Sequence, residues 1–82
     1  MLWFFEREAQ SLRLETRYDN DSSEYVVIVH WPDGREETER FTDQDTYRRR
    51  LVELENRLET DHWSRQGPPV VLPNGWPNKR LT

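Results

Sequence analysis

The run YVVIVHW, Tyr25 to Trp31, is apolar or aromatic at both parities apart from its one histidine. A strand with one wet face alternates, because successive side chains point to opposite sides of the sheet. Here Tyr25, Val27, Val29 and Trp31 share one face while Val26, Ile28 and His30 share the other, so the strand calls for cover on both. LWFF, residues 2–5, behaves in the same way. Any fold open to this chain has to supply two covers for one sheet.

The flanking segments indicate what that sheet is. LWFFERE and LRLETRY read as strands joined near Ala9-Gln10-Ser11, the second alternating Leu12, Leu14, Thr16 and Tyr18 with Arg13, Glu15 and Arg17. DNDSSE is a polar loop. Pro32-Asp33-Gly34 then turns the chain, with Pro32 fixing φ and Gly34 free to take φ > 0, into the charged strand REETERF. Four strands in sequence make a meander.

A helix follows, with Thr42 placed to cap its first turn and Asp43 and Asp45 to meet the positive end of its dipole, Asp45 standing where a capping-box acid belongs. Tyr47, Leu51, Leu54 and Leu58 fall within roughly 60° of one another and form a stripe to lie on the sheet. Arg49 points nearly the opposite way and belongs to a ladder of alternating charge, Asp45, Arg49, Glu53, Arg57 and Asp61 at i, i+4 spacing. Arg48 and Arg50 fan to either side of the stripe and border the helix–sheet interface, so the triplet Arg48-Arg49-Arg50 is read as a solvated face rather than a contact surface. The expected fold is therefore α+β: a four-stranded antiparallel meander followed by one long C-terminal helix packed on one face, with an extended Pro-rich tail. Residues 1–63 form the single domain and residues 64–82 the tail. One helix covers one face only. The second cover is left to the tail, through Val70, Val71, Leu72 and Trp76, to a second copy of the chain, or to a ligand.

At 82 residues a single domain leaves little room for a deep active site, since so small a chain buries only about 60% of the surface it exposes when unfolded. Its net charge is −4, opposite in sign to the usual footprint of a nucleic-acid-binding domain. The charge is unevenly spread: residues 1–63 carry nine basic and sixteen acidic side chains, and residues 64–82 carry three basic and none acidic. Four of the five prolines fall in that basic tail, which suits an extended polyproline-like segment able to fold back on an acidic body. There is no cysteine, which excludes disulfides, thiolate nucleophiles and cysteine-ligated metals. MLWFF is too short for a signal sequence and no apolar stretch approaches a membrane span, so a cytoplasmic chain with no membrane partner is expected.

Chemical motifs are few. His30 and His62, the two histidines, lack the H-x-x-x-H spacing that places two ligands on one helix face, and are read instead as a strand histidine at the second sheet face and a helix-end histidine favoured by the dipole. DNDSSE has the spaced oxygens of a calcium loop but no glycine at its sixth position, and His30 stands where the twelfth-position glutamate would be. No G-x-S-x-G, phosphate-cradling glycine loop or nucleophile–base spacing occurs, so neither an enzyme nor a cofactor is expected. GPPVVLP lacks the P-x-x-P spacing of an SH3 ligand.

The layout of an N-terminal aromatic strand, VVIVHWPDGREETERF and TDQDTYRRRLVELENRLETDHW resembles small bacterial proteins of unknown function with a PDG hairpin, a phenylalanine at a strand end and a Leu-rich helix finishing at a tryptophan. It spans roughly residues 3–63 and implies no activity. The order of four antiparallel strands and one helix is also that of PC4-like and Pur-like single-strand nucleic-acid binders, an architectural analogy. Two functions follow as expectations. One is a small non-catalytic interaction module, self-associating or binding a protein partner through a surface containing Val26, Ile28, His30, Arg13, Arg17 and Trp76. The other is single-strand nucleic-acid binding through Arg13, Arg17 and Arg40 with exposed aromatics, against which Glu15, Glu36, Glu37 and Glu39 would repel phosphate.

Overall fold

A computed structural model describes residues 1–70. They form an antiparallel sheet with one helix, in the order β1 (Leu2–Arg7), β2 (Gln10–Asp19), β3 (Glu24–His30), β4 (Glu36–Phe41), α1 (Gln44–Thr60) and β5 (Ser64–Arg65). The strand order across the sheet is β4-β3-β2-β1-β5, so the expected meander is present and gains a short fifth strand beside β1. That strand lies in the stretch the sequence pattern assigned to the tail. Two exposed residues show no periodicity, yet the pairing runs on past them: the Gln66 amide donates to the Phe4 carbonyl at 2.7 Å, and Leu2 and Val70 exchange amide–carbonyl bonds of 2.8 Å. Val71, Leu72 and Trp76, and with them the docking expected of the tail, lie outside the described residues.

The β3–β4 connection is the turn that Pro32-Asp33-Gly34 calls for. Gly34 donates to the Trp31 carbonyl at 3.1 Å with φ of 93°, a value that favours glycine, and Asp33 Oδ1 accepts from the Arg35 amide at 3.0 Å. This fixes the register, with His30 opposite Glu36 and Tyr25 opposite Phe41.

Helix α1 begins one residue later than expected. Asp43, not Thr42, is the N-cap, and its Oδ2 accepts from both the backbone amide and the hydroxyl of Thr46 at 2.8 Å. These bonds hold the Asp43 carboxyl below the ordinary aspartate range. The third helical position is then Thr46, and no capping box forms. The far end closes with His62 at φ of 69°, its amide donating to the Glu59 carbonyl and the Trp63 amide to the Leu58 carbonyl. This is a Schellman arrangement with a histidine in the left-handed position usual for glycine, sealed because Leu58 and Trp63 are both buried in the core. His62 is thus a helix-end residue.

The helix-side core unites Phe5, Leu12, Leu14, Val27 and Val29 of the sheet with Tyr47, Leu54, Leu58 and Trp63, while Leu51 of the expected stripe is partly buried against it. Tyr47 stacks on Tyr25 with ring centroids 4.7 Å apart. The Thr16 hydroxyl is buried beneath the helix without a hydrogen bond of acceptable geometry. Burial raises the Tyr47 phenol above its ordinary value, against a smaller lowering influence from that hydroxyl, which is near enough to act on it without bonding it well.

The expected i, i+4 charge ladder does not close: none of its four steps is an ion pair among the described residues. One helix arginine, Arg50, reaches for another element. It grips Glu39 of β4 through Nε and Nη2 at 2.9 to 3.1 Å and also pairs with Glu53. Arg65 of β5 pairs with Glu55 at 3.2 Å, so the helix is tied to the strands at both margins of the sheet. Glu53, which two steps of the ladder would use, is instead met by Arg50. No helix among the described residues is long and apolar enough to cross a membrane.

Candidate interaction face

The sheet face away from the helix is a grid set by register. Opposite pairs place Leu2 beside Glu15, Glu15 beside Ile28 and Ile28 beside Thr38; the next row runs Phe4, Arg13, His30, Glu36; a third runs Arg17, Val26, Arg40. Five of the six residues expected to form a surface therefore stand in adjoining rows of β2 and β3. Trp76 lies outside the described residues.

Val26 and Ile28 are its floor. They are 1% and 8% exposed, and neither belongs to the helix-side core. On this side of the sheet the exposed large apolar groups stand at the β1 and β5 margin, where Phe4 is 38% exposed and Val70, bridged to Leu2, is 47% exposed.

The charges on this face are sorted. His30 sits between two carboxylates, its Nε2 3.0 Å from Glu15 Oε1 and its Nδ1 3.2 Å from Glu36 Oε2. Both ring nitrogens are turned toward carboxylates, so neither is directed at a substrate or a metal. Arg40 is held by Asp19 at 3.1 Å and Glu24 at 3.2 Å, and with the Asp21 and Ser22 amides it holds the Asp19 carboxyl below the ordinary aspartate range. Four carboxylates of the face are thus committed to His30 and Arg40. Arg13 and Arg17 are exposed and form no ion pair with any described residue. Glu15, which lies between them on β2, is directed at His30, so neither arginine is paired with it, and Arg13 stands directly opposite Phe4.

The Glu36 contact was within reach of sequence reasoning, since the three-residue turn alone sets residue 30 opposite residue 36. The Glu15 contact needed the β2–β3 register across a loop of undefined length. Among the described residues no group of three His, Cys, Asp or Glu side chains is arranged to hold a metal ion. Compared with protein-family models, with curated proteins and with solved structures, the chain matches none of them.

Proposed function

We propose that the protein is a small, non-catalytic interaction module of the cytoplasm that holds an acidic, apolar-bearing segment of a protein partner against its second sheet face. The observation that supports this reading is Arg13, exposed, without an ion-pair partner among the described residues and directly opposite the exposed ring of Phe4, with Arg17 likewise exposed and unpaired two rows along the same face, while neighbouring carboxylates are occupied by His30 and Arg40. Such a surface attracts carboxylates and offers an apolar anchor beside them. Arg40, one of the three arginines a nucleic-acid reading requires, is already bound to Asp19 and Glu24. The absence of cysteine agrees with a reducing compartment.

The test is titration of labelled full-length protein with a peptide of alternating Asp/Glu and Leu/Phe residues, and separately with a labelled oligothymidine, by anisotropy at low salt. Saturable peptide binding that the Arg13→Glu/Arg17→Glu double variant weakens by about tenfold or more is expected. Saturable oligothymidine binding that falls steeply with salt would replace this reading with single-strand recognition. A full-length protein that sediments as a dimer, and as a monomer in the double variant, would assign the face to a second copy.

A further inference from the structure

On the helix side, the core is unfinished at one corner. The residues of β4 that face the helix are Glu37, Glu39 and Phe41, opposite Val29, Val27 and Tyr25, and of these only Phe41 packs against the core. Where an apolar side chain would complete the layer, β4 offers carboxylates. The C-terminal half of α1 and the β3–β4 corner consequently enclose a hollow of about 270 Å³, floored by Val29, Leu54 and Leu58 and walled by Trp31. A cavity of roughly 150 Å³ in an apolar core admits a benzene ring.

The polar groups around the hollow are mostly engaged. Glu39 is bound by Arg50, and Glu37 accepts the Trp31 indole N–H at 3.1 Å. Arg35 is held by Asp33 at 2.8 Å and lies over the Trp31 ring, 5.7 Å from its centroid. Arg57, on the last turn of the helix, lines the same hollow and forms no ion pair with any described residue. We propose that this hollow is a binding site for a small organic anion with a flat apolar body, whose ring lies on Trp31, Leu54 and Leu58 and whose carboxylate is held by the Arg57 guanidinium. Arginine's planar fork suits a carboxylate in two parallel hydrogen bonds. Asp61, also at the rim, and the negative end of the helix oppose an anion, so affinity in the roughly millimolar range follows from one ring and one charge-assisted contact. The site lies on the opposite side of the sheet from Arg13 and Arg17 and is independent of the partner surface.

The experiment is titration of the ¹⁵N-labelled full-length protein with benzoate, benzyl alcohol and benzylamine, following the Trp31 indole N–H, assigned through Trp31→Phe. Benzoate is expected to shift that signal saturably and to bind about tenfold more tightly than benzyl alcohol, with benzylamine weaker than either. Arg57→Gln should erase the preference for benzoate while leaving benzyl alcohol binding unchanged, and Arg57→Lys should restore part of it. The proposal is overturned if the indole signal does not saturate with benzoate, if benzylamine or benzyl alcohol binds as well as benzoate, or if Arg57→Gln keeps the preference. Arg13→Glu/Arg17→Glu serves as a control that should leave benzoate binding intact.

Discussion

The two faces of this sheet bury side chains of the same strand by different means. Val27 and Val26 are neighbours on β3, each 1% exposed, yet Val27 belongs to a continuous apolar cluster beneath the helix and Val26 lies in register between Arg17 and Arg40. On the first face burial follows from close packing, which is unforgiving of lost volume. On the second it occurs within a lattice of ion pairs, whose flexible arms can settle into a vacated space. Equal burial should therefore not mean equal energy.

The most severe way to break the first face is Leu54→Ala, at the middle of the helix stripe. It should cost about 2–5 kcal/mol in urea denaturation, a large part of the stability of so small a domain. A sharper comparison comes from the two valines: Val27→Ala should cost about 2 kcal/mol and Val26→Ala about half of that, because the second site can collapse. Equal losses would mean that the second face is packed as tightly as the first. Thr16→Val removes a buried hydroxyl that has no partner and should raise stability by about 1 kcal/mol; a loss would show that Tyr47 does bond it in solution. His62→Gly, which relieves a left-handed histidine, should gain somewhat less, about 0.5–1 kcal/mol.

The smallest effect belongs to the ionic lattice, and it depends on pH. Asp19 titrates below its unfolded value in the folded chain because Arg40 and the Asp21 and Ser22 amides favour its charged form. Its contribution is therefore present above the unfolded aspartate value near pH ~4 and is lost as pH falls through the lower folded value. Arg40→Gln should lower the urea midpoint slightly at about pH 7, and the difference should shrink in acid as pH falls through the lowered Asp19 value. A gap that persisted in acid would mean that Arg40 acts by packing over Val26 rather than by charge.

Much of this contrast could be read from the chain before any coordinates. The double parity of Tyr25 to Trp31 implied two covers, Pro32-Asp33-Gly34 fixed the hairpin, and Tyr47, Leu54 and Leu58 announced the buried helix stripe, all because hydrophobic period and turn chemistry are local. What escaped was tertiary competition. Asp43 took the cap from Thr42, and Arg50, expected at the border of the helix–sheet interface, found Glu39 there, because the identity of a charged partner on a neighbouring element is invisible to a periodicity. β5 was missed because two polar residues carry no pattern, and the hollow beside Trp31 because an acidic position on a strand reads as solvent until the helix is placed over it. For the second face, its position was legible and its partition into paired and unpaired charges was not.

The margins of the sheet also decide how this protein behaves in a crowd. At one edge β4 presents Glu36, Glu37, Glu39 and Arg40, and at the other β5 is two residues long and is followed by Gly67, Pro68 and Pro69 before the Val70 bridge. Charge along one border, and brevity with two prolines that lack amide hydrogens at the other, make both margins poor templates for an incoming strand. Concentrating the protein is thereby less apt to join copies edge to edge along these two margins.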